Sequence, residues 1–316
     1  MNRKSMNKPG TILITGASGF LGTWLSREAV KAGFRIYGID LRAPLQPNIW
    51  EGFATNSLDT VDLDQLIGNC TLDAVCHLAG GASVSASVKD PFGDFSSLLP
   101  GTARLAAYLK KSQPQARLFL FSSAAVYGNP EILPITESTP VMPISPYGVH
   151  KATAESLLSN YARIFDLGVT FFRIFSVYGP ELRKQLIWDV SQRALLAQEE
   201  GKEAISLFGT GKESRDFMYV KDVCRAVLTV ISKPDSSGVE IYNLGSGIES
   251  TIAEVAELLV KHLEVDVNIQ FDGVVPKGDP ANWQADISKL QKLGFTPKYN
   301  LDEGLHQVAT WAKSIH

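Results

Sequence analysis

The chain is poor in several features, and each shortage removes a class of protein. It has three cysteines in 316 residues, Cys70, Cys76 and Cys224. Their odd number and wide spacing argue against a disulfide framework and a cysteine metal site. Reduced thiols are expected, with Cys76 buried in a strand. No apolar run approaches the length of a membrane span. Charge of one sign is lacking too: 30 Lys and Arg stand against 33 Asp and Glu, a formal net charge of −3. That balance leaves no electrostatic footprint for nucleic acid or an anionic membrane. No repeat or low-complexity tract interrupts the chain. The leader Met1 to Pro9 is polar, with no apolar region behind its basic residues, so it is expected to be a disordered start and not a signal peptide. These absences together point to a cytoplasmic protein.

What remains is ordinary globular material, 45% hydrophobic and 20% charged, long enough to bury a large core. Thr11-Ile-Leu-Ile-Thr15 is a short β-branched run, the mark of a buried parallel strand. It leads into Gly16-Ala-Ser-Gly19-Phe-Leu-Gly22 and a helical pattern to about Ala32. A strand, a glycine turn and a helix in this order suit a pyrophosphate. The glycines let the backbone approach it, and the helix N-terminus offers free N–H groups. A second strand, Arg35 to Ile39, ends in Asp40, placed to accept hydrogen bonds from an adenosine ribose. Its charge would repel a 2′-phosphate, which favours NAD; Arg42, two residues on, leaves NADP open.

A polar, irregular segment and a short helix near Asp62–Ile67 precede the strand Ala74-Val-Cys-His-Leu-Ala-Gly80. His77, inside that apolar run, reads better as a core histidine than a catalytic one. Gly80 and Gly81 open a loop at a strand's carboxyl end, where ligands sit in open α/β sheets. A helix from about Gly101 to Lys111 follows. The apolar strand Leu118 to Phe121 then runs into Ser122-Ser123. Ser145-Pro146 reads as a helix cap with proline at the first helical position. On that helix, running to about Phe165, Tyr147 and Lys151 are four apart and share a face. A neighbouring ammonium favours a phenolate. A strand over Val169 to Phe175 completes the alternation expected of a Rossmann-type, doubly wound parallel α/β sheet.

From Ser176 the rhythm changes. Leu186 to Glu200 is helical, Thr251-Ile-Ala-Glu254 is a capping box opening a helix to about Leu263, and Leu301 to Ile315 is amphipathic. The expected division is a dinucleotide-binding domain over 10–175, also receiving 215–245. A smaller C-terminal α/β substrate-binding lobe takes 176–214 and 246–316.

Taken together, the blocks resemble the extended short-chain dehydrogenases/reductases that act on nucleotide sugars. They are Gly16-x-x-Gly19-x-x-Gly22, Asp40, His77-Leu-Ala-Gly80, Phe121-Ser-Ser123-x-x-Val-Tyr-Gly128, Tyr147-x-x-x-Lys151 and Arg173-x-x-Ser-Val-Tyr-Gly-Pro180. Gly209-x-Gly211 through Arg215-Asp-Phe-x-Tyr-Val-x-Asp222 and Tyr242-Asn-Leu-Gly-Ser-Gly247 follow. The tail Gly278-Asp279 with Trp283, Ala285 and Asp286 looks most like UDP-hexose 4-epimerases. The resemblance implies an NAD-dependent epimerase working by transient oxidation at C4. An NAD(P)H-dependent reductase of a nucleotide-linked 4-keto sugar is the alternative, and a non-catalytic dinucleotide-binding protein a remoter one.

It also implies roles. Tyr147 would be the general base and acid, with Lys151 binding the nicotinamide ribose and depressing the tyrosine pKa. Ser123 would hold the reacting oxygen. Gly16, Gly19, Phe20, Leu21, Gly22, Asp40, Leu58, Leu78, Ala79, Gly80 and Phe175 would contact NAD. Ser83, Ser123, Ser176, Arg215 and Asp279 would contact substrate, Arg215 gripping its pyrophosphate. A homodimer built on the helix bearing Tyr147 is implied, and Ala154, Leu157, Leu158 and Tyr161 would serve either it or the core.

Departures narrow the reading. Ala124 and Ala125 stand where 4,6-dehydratases carry an acid pair, and the glutamate of a UDP-glucuronate decarboxylase is missing. Ser176 and Leu98 replace family asparagines, Ser57 an adenine-binding aspartate, and Pro276 an arginine before Gly-Asp.

Overall fold

Apolar runs too short for helices become buried strands because only a covered parallel sheet can take both their faces out of water. The computed structural model describes residues 10–81, 83–233, 238–274 and 280–316. The leader, Pro276 and Asp279 lie outside these residues. Contacts divide the described residues into two compact units: those within 1–128, 140–174 and 224–243 form one, and those within 129–139, 175–223 and 244–316 the other.

The first unit is built on a seven-stranded sheet. Its strands are β1 (Thr11–Thr15), β2 (Arg35–Asp40), β3 (Gly52–Thr55), β4 (Ala74–His77), β5 (Arg117–Ser123), β6 (Val169–Ile174) and β10 (Val239–Leu244). They lie in the order β10-β6-β5-β4-β1-β2-β3. β1, β4 and β6 are buried along their whole length. The register sets Thr15 beside Ile39 and His77, and His77 beside Leu120, all in parallel pairs. The carboxyl ends of β1, β4 and β5 therefore share one edge of the sheet. Cys76 is fully buried, as expected, and burial pushes its thiol pKa up.

Helices α1 (Phe20–Lys31), α2 (Leu63–Ile67), α3 (Val84–Lys89), α4 (Pro91–Ser112) and α5 (Pro146–Phe165) belong to this unit. α4 starts ten residues before the expected Gly101. The Asp90 carboxylate caps it by accepting from Gly93 N at 2.9 Å, and Pro91 takes the first position. Pro100 lies inside it and removes one helical hydrogen bond. Buried Leu98, Leu99, Leu105 and Leu109 pin both halves to the core. The short edge strand β3 also arises in a segment that reads as irregular. In α5, Ala154 and Leu158 are fully buried, and Leu157 and Tyr161 pack on the same cluster, so these positions serve the core. No helix among the described residues is long and apolar enough to cross a membrane.

The second unit holds β7 (Ser176–Tyr178), β8 (Ala204–Leu207), β9 (Ser214–Tyr219), β11 (Glu249–Thr251) and β12 (Asn268–Phe271). β11, β9 and β7 make one small sheet and β12 with β8 another. α6 (Gln185–Glu199), α8 (Ile252–Leu263), α9 (Ser288–Gln291) and α10 (Leu301–Ser314) complete it; the expected capping box of Thr251 with Glu254 is realised, and a second one, Asn300 with Glu303, opens α10. Helix α7 (Val220–Ser232) counts with the first unit from Cys224 onward.

Candidate active site

Ser145 fixes the start of α5: its Oγ accepts from Gly148 N at 3.2 Å and Pro146 follows as the first helical residue. That start brings Tyr147 and Lys151 onto one face, with the Lys151 Nζ 5.7 Å from the centre of the Tyr147 ring. Lys151 is buried at 4% exposure, and its Nζ donates to the Phe121 carbonyl at 3.0 Å. Burial brings its pKa down to about 8, while the charges of Asp94 and Glu155 oppose the fall. At the end of β5, Ser123 Oγ accepts from Ala125 N at 3.1 Å, starting the tight turn over Ala124–Val126. Ser123 lies near enough to the Tyr147 phenol to favour its ionised form. Catalytic candidates read from separate parts of the sequence thus meet at the carboxyl edge of β5.

The protein's own groups push the phenol in the direction opposite to the one the resemblance implies. Tyr147 keeps part of its surface accessible, yet its hydroxyl is desolvated enough to raise its pKa to about 12. The neighbouring Ser123 hydroxyl opposes that rise and the Asp94 charge adds to it. Spacing along a helix reports the nearby ammonium but not the removal of water.

Behind the pair lies a buried network that the sequence reading missed. Glu155, one turn beyond Lys151, accepts from Arg173 Nη2 at 2.7 Å and from Ser122 Oγ at 2.5 Å. The Arg173 guanidinium lies 4.8 Å from the Tyr127 ring centre, and Tyr127 donates to Asn243 Oδ1 at 2.6 Å. A Tyr-x-x-x-Lys-x-x-x-Glu spacing followed by a strand arginine was the available signal.

The glycine loop at the end of β1 fits a dinucleotide. Gly16 has φ +69°, and a Cβ there would sit 2.8 Å from Ala79 N. A Cβ on Gly22 would sit 2.2 Å from the Gly16 carbonyl oxygen. Gly19 precedes α1 with no side chain capping the helix, which leaves first-turn N–H groups at Phe20 and Leu21 suited to an anion. Asp40 accepts from Ser18 N and Arg42 N, each at 3.0 Å, so its carboxylate is held at the loop. Arg42 lies 3.8 Å from it with a largely exposed side chain. Leu78 and Ala79 follow β4 and lie against Gly16, whereas Gly80 lies against Leu98 of α4 and Leu58 packs on Gly101 of the same helix.

His77 is a core residue. It is 1% exposed, with Nδ1 2.7 Å from Thr15 Oγ1 and Nε2 3.0 Å from Thr102 Oγ1. Thr102 donates its proton to the Leu98 carbonyl, so it accepts from Nε2–H, and Nδ1 accepts from Thr15. Burial, aided by the Lys151 charge, lowers the ring's pKa to about 3 and keeps it neutral.

Residues 12–245 match the family described as NAD dependent epimerase/dehydratase. The chain belongs to that family. It is 29% identical over 321 residues to the UDP-glucuronate 4-epimerase of Thermodesulfobacterium geofontis, covering 96% of each chain. Among solved structures it is similar to MoeE5 in complex with UDP-glucuronic acid and NAD, with TM-score 0.87 and 28% identity, covering 97% of this chain and 100% of that one. It is likewise similar to the UDP-glucuronic acid 4-epimerase of Bacillus cereus bound to UDP-glucuronic acid and NAD, with TM-score 0.86 and 27% identity, over 97% and 100% of the two chains.

The remaining family positions are spread over both units. Ser83 caps α3, its Oγ accepting from Ala86 N at 3.2 Å. In the second unit, Phe175 packs edge-on to Trp283 with ring centres 6.0 Å apart. Ser176 opens β7 and is partly accessible. The Arg215 guanidinium lies 5.6 Å from the Trp283 ring centre and donates to the carbonyls of Ser214 and Ala281. Asp216 is fully buried and accepts from Ser246 N, Gly247 N and Ala285 N. It therefore builds the turn at 246–247.

Proposed function

We propose that this protein is an NAD-dependent epimerase that inverts C4 of a UDP-activated sugar. The observation that carries the reading is the meeting of Ser123, Tyr147 and Lys151 on the sheet edge that also bears the glycine loop and Asp40. Bound NAD would supply a hydride acceptor that returns the hydride to the opposite face of the sugar ketone. Tyr147 takes the proton from the C4 hydroxyl and gives it back, and Ser123 holds that oxygen while its bond order changes. Lys151, anchored on the Phe121 carbonyl, binds the ribose of the cofactor. The Gly16–Gly22 loop and the first turn of α1 hold the pyrophosphate, and Asp40 holds the adenosine ribose.

UDP is proposed because the solved relatives bind UDP-sugars. Ser83, Ser176, Arg215 and Asp279, the last outside the described residues, are the proposed substrate contacts. A one-way reductase would use the same residues, but the relatives carry epimerase names, which favours the reversible reaction. A homodimer, readable by light scattering, is part of the proposal.

The test is incubation with UDP-glucose, UDP-galactose, UDP-glucuronic acid and UDP-N-acetylglucosamine, with each 4-epimer read by anion-exchange chromatography. Tyr147→Phe is expected to lower turnover about 10²–10⁴-fold while NAD stays bound. Turnover near that of the wild type would remove the assignment.

A further inference from the structure

One buried carboxylate–imidazole pair beside the proposed catalytic residues has no role in the reaction as described. Asp94, in the first turns of α4, and His150, between Tyr147 and Lys151 on α5, meet at 2.6 Å between Oδ2 and Nδ1. Their side chains are 8% and 13% exposed. Phe95 covers the imidazole edge-on, with ring centres 5.7 Å apart. The other carboxylate oxygen occupies the space beside Gly81, where any Cβ would collide with it. Ser97 ties this arrangement to the loop after β4, because its Oγ accepts from Gly81 N at 3.1 Å and donates to the Asp94 carbonyl at 2.8 Å. The carboxylate is thereby bonded to His150 and closed in by the loop at Gly81.

We propose that Asp94, pinned by His150, is a counter-charge that favours the protonated forms of both Lys151 and Tyr147, and so acts as a positioning residue for the reaction proposed above. The surroundings of the pair isolate this role. The elements packed on α5 are α3, α4, β5, β6 and the turn at 124–126. From α5 itself comes Glu155, already matched by the Arg173 guanidinium of β6. β5 and its turn contribute the neutral hydroxyls of Ser122 and Ser123. α3 contributes Ser87, whose Oγ accepts from Tyr147 N at 3.0 Å, while its Lys89 is exposed. His77, from β4, is held neutral. Asp94 is the carboxylate here whose partner is an imidazole and not a guanidinium, and its charge raises the pKa of both Lys151 and Tyr147. Removing it must therefore lower both.

The experiment labels lysine with carbon-13 at Cε and follows the Lys151 signal by NMR as pH rises, assigning it by its disappearance in Lys151→Met. The wild-type midpoint is expected near 8. Asp94→Asn keeps the shape and a hydrogen-bonding group for His150 but removes the charge. It should lower the midpoint by on the order of one pH unit. The pH profile of turnover should move toward acid by a similar amount. An unmoved midpoint would overturn the proposal, as would a drop in kcat at every pH with the profile unshifted, the signature of lost α4–α5 packing.

His150→Asn is the second variant. It keeps the carboxylate, so the midpoint should hold or rise; a fall matching that of Asp94→Asn would refute a charge effect, and this variant decides the matter if the first does not fold. The kinetic half rests on the epimerase reading, whereas the lysine titration does not. A wild type inactive on all UDP-sugars but with the shifted titration would sink the function and leave Asp94's role standing.

Discussion

Lys151→Met should make the protein more stable at neutral pH while it destroys activity. The lysine is buried, and folding lowers its pKa from 10.5 to about 8. A group whose folded pKa is depressed in this way binds its proton less tightly in the native state. Below pH 8 the native protein therefore carries a desolvated charge, a penalty on the order of 3 kcal/mol at pH 7. Methionine fills similar volume without the charge. The substitution also loses the hydrogen bond to the Phe121 carbonyl, worth about 1–1.5 kcal/mol. The net expectation is a gain of about 2 kcal/mol at pH 7. As pH rises from 8 toward 10.5 the wild-type lysine sheds its proton on folding and the penalty fades, to below about 1 kcal/mol at pH 10. The advantage of the variant should then vanish or reverse. Urea denaturation of both proteins at pH 7 and pH 10, followed by circular dichroism, reads the difference with other titrating groups cancelling. A variant less stable than the wild type at pH 7, or an advantage equal at both pH values, would refute the reasoning.

Glu155→Gln leaves the buried Arg173 guanidinium without its counter-charge. It should destabilise the protein by about 3–5 kcal/mol by thermal denaturation, and Glu155→Leu with Arg173→Met should recover most of that loss. Gly22→Ala drives a methyl group to 2.2 Å from the Gly16 carbonyl. NAD affinity, measured by isothermal titration calorimetry, should fall at least tenfold, and unchanged affinity would mean the loop does not hold the pyrophosphate.

Local signals made the dinucleotide half of the fold legible. Thr11–Thr15 and Val169–Ile174 are buried throughout, and such strands advertise themselves as unbroken apolar runs. Ser145-Pro146 marked the start of α5 to the residue. The failures have equally local causes. Gly93 and Pro100 are poor helix formers, so propensity alone opens α4 too late. What keeps its first half helical is the Asp90 cap and the burial of Leu98 and Leu99, the second of which exists only after the sheet has formed. β3 is short, half-exposed and contains a glycine, so its only strong support is its pairing with β2.

The site divides along the same line. Tyr147, Lys151 and the glycines were readable because their spacing within one element fixes their geometry. Glu155 and Arg173 are 18 residues apart on a helix and a strand, and Asp94 and His150 are 56 apart on two helices. Neither pair has a signature until those elements pack. Desolvation is likewise invisible to spacing, and here it governs the chemistry. Burial drives Lys151 down to about 8 and Tyr147 up to about 12, both toward their neutral forms. The protein alone therefore holds Tyr147 ready as an acid, the form that returns a proton to the sugar oxygen. Its base form has to be favoured by nearby positive charge, which makes the oxidative half of the reaction the one more sensitive to each charge around α5.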